Sequence, residues 1–124
     1  MNKIVVALGV ALLAARPAMA QTRSFCGGAV EVNAGYRGAS DAQGNYVEYY
    51  AFVSGTDAQR LSLIATIQFN APSGVTAAVD PARVNLGAMG RARVRLATER
   101  QAAGQMRPSI PRGQVAGYVT VTCS

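Results

Sequence analysis

The chain contains no histidine, so the side chain that most often serves as a general base is missing, and imidazole metal sites are missing with it. Its two cysteines, Cys26 and Cys123, stand near the two ends of the chain beyond residue 20. That spacing suits a structural disulfide and not a Cys-x-x-Cys redox motif. Glu31, Asp41, Glu48, Asp57, Asp80 and Glu99 are the six carboxylates, and no close pair among them stands out as an acid–base dyad. Asp41, Asp57 and Asp80 sit beside turn residues, where a carboxylate caps backbone amides. No glycine-rich loop leads into a helix that could cradle phosphate. These residues point to a protein that binds without catalysis, with no cofactor and no metal.

Two patterns could carry binding. Arg91, Arg93 and Arg95 alternate with Ala92, Val94 and Leu96, which at the strand period of two places three guanidinium groups on one face of one strand. One reading is a soluble outer face whose charges also discourage sheet-to-sheet aggregation. The other is an anion-recognising ladder, extended by Arg83, Arg100, Arg107 and Arg112, since three arginines with no acid between them repel one another. The second pattern is Tyr46, Tyr50 and Phe52 on one face of a strand, with Val47, Tyr49, Ala51 and Val53 on the other. Apolar residues on both faces predict a central strand packed into the core. A sugar-stacking platform would more typically include Trp, and the chain has none. The segment 98–113 is long for a connection in a small domain and is either a contact surface or a crossover between sheets.

Residues 1–20 read as a secretory signal: Met1-Asn2-Lys3, an apolar run from Ile4 to Ala15, and a small-residue cleavage site at Ala18-Met19-Ala20. The run is short for a bilayer span, and polar residues follow it at once. The remaining 104 residues are enough for one domain with one core. Lys3 and Arg16 belong to the signal, which leaves ten arginines against six carboxylates and a charge of +4. That surplus suits anionic polymers, lipid headgroups or acidic protein faces and falls short of the dense clusters of specific nucleic-acid binders. An exported chain can form the Cys26–Cys123 disulfide, which requires its termini to meet.

Short alternating runs separated by turn clusters must position these groups, the pattern of an all-β domain. Strands are expected at Ala29–Tyr36, Tyr46–Val53, Arg60–Phe69, Val75–Val79, Ala82–Leu86, Arg91–Ala97 and Gln114–Thr122. A polar loop is expected at Gly38–Asn45, and Thr98–Gly104 has the composition of one capped helical turn. In the strand from Arg60, Leu61, Leu63, Ala65, Ile67 and Phe69 share a face.

The stretch Asp80-Pro81-Ala82-Arg83-Val84-Asn85-Leu86-Gly87, then Arg91 to Leu96, then Gly113 through Gly117-Tyr118-Val119-Thr120-Val121-Thr122-Cys123, resembles the second half of bacterial immunoglobulin-like domains. The resemblance covers about residues 75–123. It implies an immunoglobulin-like, two-sheet antiparallel sandwich over residues 21–124; the signal itself implies a periplasmic or extracellular location, with no transmembrane segment in the mature chain. Such domains serve as adhesive modules, assembly helpers or spacers. The expected function is therefore an exported accessory protein that contacts other exported proteins, or surface polymers, through an open sheet edge or through Arg91, Arg93 and Arg95 together with Arg107 and Arg112. Its alternatives are a structural subunit of a surface fibre or coat, and a domain that binds anionic polysaccharide or the envelope.

Overall fold

The computed structural model describes residues 22–124. The expected signal, residues 1–20, lies outside the described residues. Eight strands form two antiparallel sheets: β1 (Thr22–Phe25), β2 (Val30–Asp41), β3 (Gly44–Gly55), β4 (Ile64–Phe69), β5 (Thr76–Asp80), β6 (Arg83–Asn85), β7 (Arg91–Arg100) and β8 (Val119–Cys123). The larger sheet has the order β1-β2-β3-β7-β5 and the smaller β6-β4-β8. Val30, Val32, Val47, Tyr49, Val53, Val94 and Leu96 of the first sheet meet Ala65, Ile67, Phe69, Val119 and Val121 of the second in one apolar core. The all-β sandwich expected from the alternating runs is thus present.

β2 and β3 give the larger sheet its length. They pair without interruption from Val30↔Gly55 to Asp41↔Gly44, so the segment expected as a loop at Gly38–Asn45 is mostly hairpin, closed by Ala42 and Gln43. The Asp41 carboxylate accepts the Gln43 N–H at 2.9 Å, and Gly44 takes a φ of 116° that disfavours any side chain. β3 is central, as its two apolar faces implied, but only Val47, Tyr49, Ala51 and Val53 enter the core. Tyr46, Tyr50 and Phe52 lie on the outer face, and Phe52 is 49% exposed. Assigning both faces to the core was incorrect: the small sheet covers one side of β3 and no described element covers the other.

Three other expectations are corrected. β4 begins at Ile64 and not at Arg60, because Asp57 turns the chain through the Arg60 N–H and Leu63 is held by the side chain of Asn85; Leu61 is left 81% exposed. Thr98, Glu99 and Arg100 form no helical turn and instead continue β7 opposite Glu48, Val47 and Tyr46. The closing strand starts at Val119, since Arg112–Tyr118 is a 3-10 segment that buries Val115 and Ala116.

The two ends of the described residues are fastened together. Cys26 and Cys123 form the expected disulfide, with Cα atoms 6.1 Å apart. Beside it, the Arg23 guanidinium donates to the carbonyl oxygens of Ala116 and Val119, at 3.2 Å each.

Candidate functional site

Cross-strand partners project from the same face of a sheet, so the β2–β3–β7 register defines the outer surface. Glu31, Asn33, Gly35 and Arg37 stand opposite Ser54, Phe52, Tyr50 and Glu48. Arg91, Arg93 and Arg95 stand opposite Ser54, Phe52 and Tyr50. Arg91, Arg93 and Arg95 therefore share one outward face, as their spacing predicts, and lie against the aromatic row.

The ladder is not isolated charge. Glu48, only 7% exposed, accepts through one carboxylate oxygen from Arg37 Nε at 3.0 Å and from Arg93 Nη2 at 3.1 Å. Arg93 also lies over the Tyr50 ring, 4.9 Å from its centroid, which suits a flat guanidinium above the negative face of an aromatic ring. Arg95 approaches Asp80 at 3.9 Å, and Arg91 has no ion-pair partner among the described residues. The repulsion expected along one strand is relieved by acids on its neighbours, which spacing within β7 alone does not reveal.

At the hairpin end, Arg100 grips Asp41 through two parallel bonds of 2.8 and 2.6 Å and lies over the Tyr46 ring. The bonded guanidinium and the Gln43 N–H bring the Asp41 carboxyl down to about 2.

Arg112 reaches the face from the 3-10 segment. Its guanidinium lies 4.1 Å from the Tyr36 ring centroid, and its Nη1 donates to the Tyr36 carbonyl at 3.0 Å. Arg107 belongs to the 101–111 segment, where its N–H donates to the Gln101 side chain, and is exposed there. The expected group of five arginines thus divides: Arg91, Arg93 and Arg95 on β7, Arg112 at the β2 edge, and Arg107 apart.

Between Arg112 and the aromatic row lies a notch of about 110 Å³ lined by Asn33, Ala34, Gly35, Tyr50, Phe52 and Arg112. Its floor is open because Gly35 has no side chain: a β-carbon there would lie 3.6 Å from both Arg112 Nη1 and the Tyr50 hydroxyl. The Tyr50 and Phe52 rings meet edge to face, with centroids 5.4 Å apart. A second hollow of about 380 Å³ shares Asn33 and Phe52 and continues to Thr22, Glu31 and Ser54. Sequence reasoning passed over Asn33 and Gly35. The available signal was Glu48, which shares a face with Tyr46, Tyr50 and Phe52 and marks that face as open to water.

A separate buried cluster holds the 101–111 segment. Tyr49 donates its hydroxyl to Glu99 Oε1 at 2.6 Å, and Ser109 donates both its N–H, at 2.9 Å, and its hydroxyl to the same carboxylate. Burial alone would push the Glu99 carboxyl up; the Ser109 bonds and the Tyr49 hydroxyl outweigh it and leave the group below its ordinary value. Tyr49 is pushed far up, first by burial and then by its bond to Glu99. Three bonds to an ionised, enclosed carboxylate make this cluster an anchor for the segment.

Among the described residues no group of three or more His, Cys, Asp or Glu side chains could hold a metal ion, and no helix is long and apolar enough to cross a membrane. No protein-family model matches the chain, and neither does any curated protein or solved structure.

Proposed function

We propose that this chain is an exported binding protein without catalytic activity, freed of residues 1–20 and folded as an immunoglobulin-like sandwich in the periplasm or outside the cell. Its contact surface is the outer face of the larger sheet, and its partner is acidic. The observation that carries this reading is the half-exposed Tyr50–Phe52 pair on the central strand, flanked by Arg93, Arg95 and Arg112. Exposed aromatic rings beside arginines are the residue types enriched where binding energy concentrates.

The test is retention of the oxidised protein on immobilised polygalacturonate and polyglutamate as ionic strength rises. Binding at low salt, lost as salt screens the arginines and weakened by Arg93→Gln, is the expected outcome. Absence of retention on either matrix at low salt would overturn the reading.

A second reading has its own observation. β1 covers β2 only from Val30 to Asn33, so β2 from Tyr36 to Ser40 has no strand on that side among the described residues. Another exported chain could add a strand there, as an assembly partner or as the next subunit of a fibre. Recovery of the native protein in sheared, high-mass surface material would favour that role. The Cys26–Cys123 bond and the Arg23 clamp weigh against a detachable N-terminal arm.

A further inference from the structure

From the two adjoining hollows on the outer face we infer a saccharide site: the notch over Gly35 takes the carboxylate-bearing sugar of an acidic heteropolysaccharide, and the hollow beyond Phe52 takes a neutral neighbouring sugar. This rests on the acidic-partner reading above and names the partner's chemistry.

Three polar groups converge on the notch. Arg112 uses Nη1 for the Tyr36 carbonyl and retains other guanidinium donors suited to a carboxylate. Asn33 and Tyr50 both line the notch, and neither the Asn33 amide nor the Tyr50 hydroxyl has a hydrogen-bond partner among the described residues. Few convergent polar groups beside aromatic walls are the usual make-up of a small-ligand site.

The second hollow has the opposite character. Thr22 and Ser54 offer hydroxyls and Glu31 a carboxylate, a set that accepts sugar hydroxyls and repels an anion. Phe52 belongs to both hollows, placed where the apolar C–H face of a pyranose can lie against its ring.

The same features argue against other polyanions. The backbone groups of β3 are engaged on both sides in the β2–β3–β7 ladders, so a peptide lying across this face gains main-chain bonds only at the β2 edge beyond Asn33, where β1 no longer pairs. A nucleic acid, with a phosphate at every unit, would set charge against both Glu31 and Glu48.

The test is a titration of the oxidised, isotope-labelled protein, followed by amide NMR shifts. The probe is a hexasaccharide alternating glucuronate and N-acetylglucosamine; the comparators are the neutral N-acetylglucosamine hexamer and hexaglutamate. The alternating sugar is expected to bind at least about tenfold more tightly than either comparator, an ordinary margin for one charge-assisted bond. Its shifts should centre on Asn33, Gly35, Tyr50 and Phe52. Gly35→Ala introduces a methyl at ordinary contact distance and is expected to weaken binding about tenfold with the thermal midpoint unchanged. Asn33→Ala should weaken it similarly, and Arg107→Gln should not.

Equal affinity for the neutral hexamer, or full affinity in Gly35→Ala, would overturn the assignment. Hexaglutamate binding preferentially, and losing affinity in Arg93→Gln, would overturn the saccharide while leaving the acidic-partner reading intact. No binding of any probe at low salt would overturn both.

Discussion

Glu99 shows how one side chain fixes a long connection. It sits 8% exposed on β7, and an isolated carboxylate there would be costly. Tyr49 from β3 and Ser109 from beyond β7 supply three hydrogen bonds to it, which ties residues 101–111 to the sandwich. The folded carboxyl is held below its ordinary value of 4.5. On acidification the unfolded chain takes up this proton first, so the stabilisation is complete above about pH 4.5 and is lost as pH falls from there through the folded value. Glu99→Gln, which resembles the protonated group, is expected to lower stability at pH 7 by about 1–3 kcal/mol. Denaturant unfolding of both proteins across pH should show that gap closing as the pH drops below 4.5; a gap independent of pH would mean that charge is not what the cluster recognises.

At the scale of elements, β3 ends against the turn that precedes β7. Gly55 donates its N–H to Gly90 at 2.8 Å, and a β-carbon on Gly55 would collide with the Leu86 carbonyl oxygen. Because a backbone atom cannot rotate away, Gly55→Ala is expected to cost about 1–3 kcal/mol or more. Gly117→Ala, which meets nothing within 4 Å and has no positive φ, should stay within about 1 kcal/mol of the parent in the same thermal melts. A melt in which the two substitutions behave alike would remove the Leu86 contact as the reason for the glycine. Such contacts explain what could be read in the chain and what could not. A strand with one buried face, such as β7, announces itself through alternation, whereas β3 carries apolar residues on both faces and does not show which one is buried. The strand expected from Arg60 starts too early because Leu61 continues the alternation, although the Asp57 turn has already taken the chain out of the sheet. Thr98-Glu99-Arg100 has a cap-like composition, and its pairing with Glu48, Val47 and Tyr46 of β3, some fifty residues away, makes it a strand. Of the candidate site, the shared face of Arg91, Arg93 and Arg95 was legible. Its acids, Glu48 on β3 and Asp80 on β5, and the gap left by Gly35, depend on register between strands.

At the scale of the molecule, the larger sheet can expose a binding face only if the sandwich stays closed behind it. The closure lies at the termini. Cys26 follows β1 in one sheet and Cys123 ends β8 in the other, bonded across a sequence separation of 97. Arg23 adds its bonds to the Ala116 and Val119 carbonyls, and Ser124 exchanges backbone bonds with Ile64 at 3.0 and 3.2 Å. A cross-link spanning so much chain restricts the unfolded ensemble strongly, by about 4–5 kcal/mol in the chain-entropy account. Replacing both cysteines with alanine is therefore expected to lower the thermal midpoint by about 20 °C or more. Adding reductant to the parent protein should reproduce that loss, and the variant should no longer respond to reductant. Because the outer-face residues do not touch the bond, the variant below its own midpoint should keep the same affinity for an acidic probe. A small shift in midpoint with full loss of binding would instead mean that the disulfide shapes the face directly, and would move the functional surface from the β2–β3–β7 sheet to the joined ends of the chain.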